Sequence, residues 1–131
     1  MRMLYFAHSG LRYLVLLAAL AAIVWFAFAL FTKRPVDKSL RIVGSSFVGL
    51  VDLQILVGLG VLLTRTYYPA LIGHIVMMIA AAAVIHVTLV LNRKRPQPGW
   101  SLPLTGIVIG LVLIIGGIMA IGRGPFTSVP I

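Results

Sequence analysis

Residues 13–32 read YLVLLAALAAIVWFAFALFT, which is twenty consecutive positions without a charged side chain. A helix needs about 20 predominantly apolar residues to cross the hydrocarbon core of a bilayer. The stretch is rich in Leu and Ala and lacks alternation of apolar and polar positions, which favours a helix over a strand. It predicts a transmembrane helix that reaches back toward Leu4. A basic segment follows rather than a small-residue cleavage site, so we expect a retained span and not a signal peptide.

Three further apolar stretches are long enough to cross a bilayer. Pro35 and Asp37 are expected to end the first span, and short connections predict that neighbouring helices run antiparallel. The chain is therefore expected to be all-α, an integral membrane four-helix bundle with up-down-up-down topology and a single domain over residues 1–131. The predicted spans cover about 4–32, 42–64, 69–92 and 102–122.

The composition excludes several classes of protein. Hydrophobic residues make up 61% of the chain, charged residues 10%, and the mean hydropathy is +1.13. A soluble domain carries about 25% charged residues, so a water-soluble globule is excluded. The chain has no cysteine, which excludes disulfides, thiolate metal sites, iron–sulfur clusters and c-type haem attachment. Its two acidic residues cannot form the carboxylate clusters on which many hydrolases and transferases depend.

The net charge of +9 is explained by the positions of the basic residues. Seven lie in the connections after the first and third spans, and four lie toward the other side. Basic residues concentrate on the cytoplasmic side of membrane proteins. We therefore expect a multi-pass protein of a bacterial inner (cytoplasmic) membrane, with both termini on the outer, periplasmic side and with no nucleic-acid partner. The seven are Lys33, Arg34, Lys38, Arg41, Arg93, Lys94 and Arg95, and the four are Arg2, Arg12, Arg65 and Arg123.

Polar side chains inside the spans are the best indicators of function, because an unpaired polar group in hydrocarbon costs several kcal/mol. His8 and His74 lie near the same ends of the first and third spans, so both imidazoles are expected about 6–8 Å below the outer surface. In a square bundle these two spans are diagonal. Two imidazoles at one level on diagonal helices are the axial ligands that a six-coordinate haem b needs. The alternative is a pair of neutral histidines hydrogen-bonded to neighbouring helices.

Two arginines are candidates for the propionates of such a haem. Arg12 is one turn from His8 on the same helix face, and Arg65 lies in the adjacent connection. Arg12 has a second interpretation, in which its side chain reaches up to the phosphate headgroups of the lipids.

A second polar group is expected deeper in the membrane. Asp52 and His86 differ by about 6 Å in depth, which their side chains or one water can bridge. With Gln54 nearby, the pair could pass protons or bind a quinone carbonyl. A structural latch between the second and third helices is the simpler interpretation. The first span has no ligand opposite His86, so a second bis-histidine haem is not expected.

Other residues are expected to serve packing. Gly106 and Gly110 form a small-xxx-small pair that lets helices approach closely, and glycine also leaves room for a flat cofactor. Met77 and Met78 follow His74 by one turn and cannot reach the opposite face of a haem. Trp100, like other aromatic residues near the span ends, is expected in the interfacial aromatic belt.

The runs His8-Ser9-Gly10-Leu11-Arg12-Tyr13 and Gly73-His74-Ile75-Val76-Met77-Met78 resemble small four-helix bacterial membrane proteins of the cytochrome b-like type. The resemblance extends over nearly the whole chain in the number and spacing of spans. It implies a haem b held by helix histidines, here His8 and His74 with Arg12 near a propionate. It also implies electron transfer beside a larger respiratory or photosynthetic complex.

The sequence thus leaves three hypotheses. The first is a haem b electron-transfer protein that works with a membrane oxidoreductase or photosynthetic complex, or as a homo-oligomer. The second is a haem-free accessory subunit whose histidines only join helices. The third is a small transporter or proton channel built on Asp52 and His86, which the absence of repeats and broken helices disfavours.

Overall fold

The computed structural model describes residues 2–64 and 70–119, and this part of the chain contains α-helices and no strand. The all-α prediction is confirmed. Each helix is long and apolar enough to cross a membrane. The helices are α1 (Arg2–Phe31), α2 (Lys38–Thr64), α3 (Ala70–Lys94) and α4 (Ser101–Met119).

The start of α2 corrects one predicted boundary. The helix begins at Lys38 rather than at residue 42, because polar residues continue it beyond the apolar stretch. Asp37 was expected to end the first span, but it caps α2 instead. Its Oδ1 accepts a hydrogen bond of 3.0 Å from the backbone N–H of Ser39, which satisfies one of the free donors of the first turn. Positions 120–122 of the fourth predicted span lie outside the described residues.

A left-handed residue ends α1. Lys33 has φ of 55°, and the N–H groups of Lys33 and Arg34 donate to the carbonyls of Leu30 and Ala29. This pair of bonds is the Schellman arrangement, which usually places a glycine at the left-handed position. A lysine there accepts some backbone strain and turns the chain sharply toward α2.

The helices form a ring in which α1 packs on α2 and α4, and α3 packs most extensively on α4. The contact between α2 and α3 is the lightest of the four neighbouring pairs. The diagonal placement of α1 and α3 that the sequence argument assumed is therefore present.

All four helices contribute to the core, with fully buried Phe26 of α1, Phe47 of α2, Ile85 of α3 and Ile107 of α4. The spans of α1 and α4 bury a larger share of their residues than those of α2 and α3 do. Gly110 of α4 is a close-contact position, because a Cβ there would lie 2.6 Å from Cδ1 of Ile85. Glycine at this position lets α3 and α4 pack closely, as its small-xxx-small spacing predicts.

The connections 32–37 and 95–100 meet at one end of the bundle, which we call the basic end. Trp100 is only 4% exposed and donates its indole N–H to the carbonyl of Arg34 at 2.8 Å. Its expected place in the aromatic belt is thus wrong, since the indole N–H finds its partner within the protein. Asn92 and Gly99 exchange two hydrogen bonds of 3.0 and 3.1 Å, which close the connection between α3 and α4.

Candidate functional site

His8 of α1 and His74 of α3 lie together across the ring of helices. Their ring centroids are 6.4 Å apart, and the ring planes are nearly perpendicular at 89°. Because His8 and His74 lie at the same level on diagonal helices, their imidazoles meet, as the sequence argument required. We call the cluster of His8, His74, Gln54, Arg12 and Gly58 the histidine site.

His74 is oriented by the backbone of α4. Its Nδ1 lies 2.8 Å from the carbonyl oxygen of Gly117. A carbonyl only accepts, so Nδ1 carries the hydrogen, and Nε2 is the nitrogen through which His74 would bind a metal. Metal-binding histidines usually donate their second N–H in this way, which fixes both tautomer and ring orientation.

His8 rests on α2 at Gly58. A Cβ at position 58 would lie 2.7 Å from Cε1 of His8, so only glycine gives the ring this place. The Nδ1 atom of His8 is buried and has no hydrogen-bond partner among the described residues. A buried ring nitrogen without a hydrogen-bond partner costs free energy. Sequence reasoning missed this role of Gly58, since the residue is one of several glycines in α2.

Gln54 belongs to the histidine site rather than to the deeper polar pair. Its amide Nε2 donates to the backbone carbonyl of His8 at 2.7 Å. Its Oε1 is buried and has no hydrogen-bond partner among the described residues. Gln54 therefore fixes α2 against α1 at the level of His8, and it faces away from Asp52, two residues earlier on the helix.

Arg12 brings a positive charge to the same region. It is 7% exposed, its Nη2 donates to the hydroxyl of Tyr13 at 2.8 Å, and its guanidinium lies 4.6 Å from the centre of the Tyr13 ring. A buried guanidinium one turn from His8 is suited to an anionic group such as a haem propionate. Arg65, the other candidate, lies outside the described residues.

The donor set of the histidine site fits a haem iron better than a bare metal ion. Within residues 2–64 and 70–119 no three His, Asp or Glu side chains come together to hold a metal. A porphyrin supplies four nitrogens, so a haem iron needs only two axial ligands from the protein. A metal about 2.0 Å from one nitrogen of each imidazole places the ring centres roughly 6 Å apart. The observed 6.4 Å is compatible with that spacing, and it is also an ordinary distance for two rings in edge-to-face contact.

Asp52 and His86 form a second polar pair, at the light contact between α2 and α3. His86 Nε2 lies 2.8 Å from Asp52 Oδ1, so the side chains bridge the expected difference in depth directly. The side chains are 45% and 51% exposed for His86 and Asp52 respectively. An open hollow of about 280 Å³ beside His86 is lined also by Val87, Val90 and Leu91.

Asp37 is the acidic residue of the basic end. Hydrogen bonds from Ser39 and from Arg34 lower the pKa of its carboxyl from 3.8 to about 2. The guanidinium of Arg34 also lies 5.0 Å from the ring of Trp25. Asp37 thus joins the end of the first connection to the first turn of α2.

Comparisons with protein-family models, with curated proteins and with solved structures find no match to this chain. The geometry of the two polar clusters therefore carries the functional assignment.

Proposed function

We propose that the chain is an integral membrane, haem b-binding electron-transfer protein of the cytochrome b-like type. The observation that supports this best is the 6.4 Å separation of the His8 and His74 rings, with His74 held by the carbonyl of Gly117. The residue types, the spacing and the second hydrogen bond agree with bis-histidine ligation of one haem.

The proposed setting is a bacterial cytoplasmic membrane, crossed four times. Four apolar helices with outward-facing Leu, Val and Ile side chains support insertion. Antiparallel packing of α1 and α2 is supported at both ends: His8 contacts Gly58 near the end of α2, and Trp25 bonds Ser39 near its start. The basic end then lies in the cytoplasm, and both termini lie on the periplasmic side.

Each residue of the histidine site has a task in this proposal. His8 and His74 would hold the haem iron, and Gln54 and Gly58 keep His8 in place from α2. Arg12 would offset the charge of a propionate. Haem b, when bound, would supply an iron that changes its charge by one electron. The surrounding apolar helices keep water away from the site.

The proposed partners are membrane-bound. Electrons would pass between a quinol or a membrane oxidoreductase and an acceptor on the outer side. The exposed apolar faces of α2 and α3 offer a surface for lipid, for a respiratory or photosynthetic complex, or for a second copy of the chain.

The decisive experiment uses the three histidines of the chain. The protein and its variants His8→Ala, His74→Ala and His86→Ala are purified in detergent from cells with ample haem. The reduced-minus-oxidised absorption spectrum and the pyridine haemochrome are then recorded. We expect about one haem b per chain, lost in the first two variants and retained in His86→Ala, the matched control at a site without a second ring.

A colourless wild-type protein, or a haem that survives both His8→Ala and His74→Ala, would contradict the proposal. A colourless, folded protein would instead support the haem-free accessory subunit, in which these histidines only join helices.

A further inference from the structure

The Asp52–His86 pair lies deep in the apolar part of the bundle. Asp52 is fourteen residues after Lys38 and twelve before Thr64, the two ends of α2. At 1.5 Å per residue it lies about 20 Å from either end, beyond the reach of its short side chain to a lipid headgroup. Any group that forms hydrogen bonds with this pair must therefore enter the hydrocarbon region.

The pair is incompletely satisfied by the described part of the chain. Asp52 Oδ1 and His86 Nε2 bond each other, and the described residues supply no partner for Asp52 Oδ2 or for His86 Nδ1. Exposed Leu53, Leu56 and Val87 lie on the same helices, and they offer no hydrogen bonds. A lipid tail offers none either, so the pair requires a polar group from another molecule.

The chemistry of the pair specifies which polar group. A carboxylate accepts hydrogen bonds, so the hydrogen of the 2.8 Å contact belongs to His86 Nε2. A neutral imidazole with its hydrogen on Nε2 has an acceptor at Nδ1. Both open positions, Nδ1 and Oδ2, are then acceptors. They select a ligand that carries a hydroxyl and not one that carries only carbonyls.

The surroundings of the pair specify the rest of the ligand. The hollow of about 280 Å³ beside His86 is lined otherwise by Val87, Val90 and Leu91, all apolar. The hollow is open rather than enclosed, its four lining residues all belong to α3, and the surface that it exposes is apolar. It lies beside the lightest helix contact of the ring, so a ligand can enter sideways from the lipid. A flat, lipid-soluble ring with a hydroxyl group matches this combination.

We propose that the Asp52–His86 pair and this hollow bind the ring of a membrane-soluble quinol, whose hydroxyl donates a hydrogen bond to Nδ1 of His86. The ring rests on Val87, Val90 and Leu91, and Asp52 keeps His86 in the accepting tautomer. The inference deepens the proposed function by naming the class of its electron donor. It rests on that function for the destination of the electrons, whereas quinol binding itself requires no haem.

The test measures equilibrium binding of menadiol to the full-length protein in lipid nanodiscs, under anaerobic conditions, by calorimetry. We expect saturable binding, at least tenfold weaker in His86→Leu and in Asp52→Leu. Menadione, which has two carbonyls and no hydroxyl, should bind at least tenfold more weakly than menadiol. Ile79→Ala is the matched control, because Ile79 is an exposed residue two turns before His86 on the same face, outside the hollow.

Two further variants keep the test decisive. Val90→Trp fills the hollow and leaves the Asp52–His86 pair intact, so it should abolish menadiol binding. This variant keeps the test decisive if His86→Leu and Asp52→Leu fold poorly. His8→Ala should lose haem but keep menadiol binding, which separates failure of the haem proposal from failure of this one.

Three results would overturn the quinol site. One is equal affinity for menadiol and menadione. Another is unchanged menadiol binding in His86→Leu or Val90→Trp. The third is absence of saturable menadiol binding to the wild-type protein in nanodiscs.

Discussion

The two polar clusters of the molecule use histidine in opposite settings. At the histidine site all four helices contribute: α1 gives His8, α2 gives Gln54, α3 gives His74 and α4 gives the Gly117 carbonyl. The Asp52–His86 pair draws on two helices only, and it lies half exposed where they touch least. A site to which four helices contribute is suited to hold a group permanently, whereas a half-exposed pair between two helices is suited to a group that arrives and leaves.

The two clusters also differ in the chemical groups that they offer to a ligand. The histidine site contains a buried imidazole nitrogen of His8 and the buried guanidinium of Arg12. These two groups suit the proposed haem, which has an iron to be ligated and anionic propionates. The side chains of the Asp52–His86 pair are half exposed on the outside of the bundle. The two clusters therefore predict different responses to the same kind of substitution. Two experiments test this difference, and a third, with the smallest expected effect, tests the basic end of the bundle.

The largest effect is expected from Gly58→Leu. The new side chain occupies the place of the His8 imidazole, because even a Cβ would lie 2.7 Å from Cε1. Bound haem per chain should fall at least tenfold, measured by pyridine haemochrome. Menadiol binding should stay unchanged, since the Asp52–His86 pair is not touched.

Gly49→Leu is the matched control for this variant. It lies on the same helix, and a Cβ there meets nothing within 4 Å. Equal haem loss in both variants would mean that α2 tolerates no added bulk, and the specific role of Gly58 would be rejected.

An intermediate effect is expected from a double-mutant cycle with Asp52→Leu and His86→Leu. Hydrogen bonds between helices in membranes contribute about 0.6 kcal/mol on average, so the coupling should be near that value. Each variant and the double variant are unfolded in detergent micelles, and helicity is followed by circular dichroism.

The size of the coupling decides between two roles of the pair. A value above about 2 kcal/mol would exceed what such bonds contribute elsewhere in membranes. The pair would then act mainly as a latch that holds α2 to α3, and its part in ligand binding would be doubtful.

The smallest effect is expected at Asp37. Its pKa is lowered to about 2 by Ser39 and Arg34, so its stabilising contribution is fully present above the ordinary value of 3.8 and is lost as the pH falls toward 2. Asp37→Asn keeps an amide oxygen for the cap but has no charge to titrate. The stability difference between wild type and this variant should therefore shrink between pH 4 and pH 2. A difference that stays constant over this interval would contradict the assignment.

The sequence was sufficient to predict the helices and the relative levels of their polar residues along the bundle. Uninterrupted apolar runs gave the four helices, and a rise of 1.5 Å per residue brought His8 level with His74 and Asp52 within reach of His86. The start of α2 was misplaced because Asp37 caps a helix whose first turn is polar. Apolarity marks the part of a helix that suits lipid, and it does not mark where the helix begins.

The rotation of each helix about its own axis could not be predicted. The spans are apolar on nearly every side, so the pattern does not tell which side faces a neighbour. Gln54 was therefore placed beside Asp52, although it bonds to α1 at His8. For the same reason Gly58 was not distinguished from the other glycines of α2, and Trp100 was placed at the membrane surface although it is buried.

The bond from the Trp100 indole to the Arg34 carbonyl joins residues that are 66 positions apart. During synthesis on the ribosome, the first turn at the basic end is complete long before its partner is made. The hydrogen bond from Trp100 can form only after the third connection has been synthesised, and only then is the basic end of the bundle closed. A ribosome-bound intermediate that stops before residue 100 should thus leave its first connection more open to protease than the finished protein does.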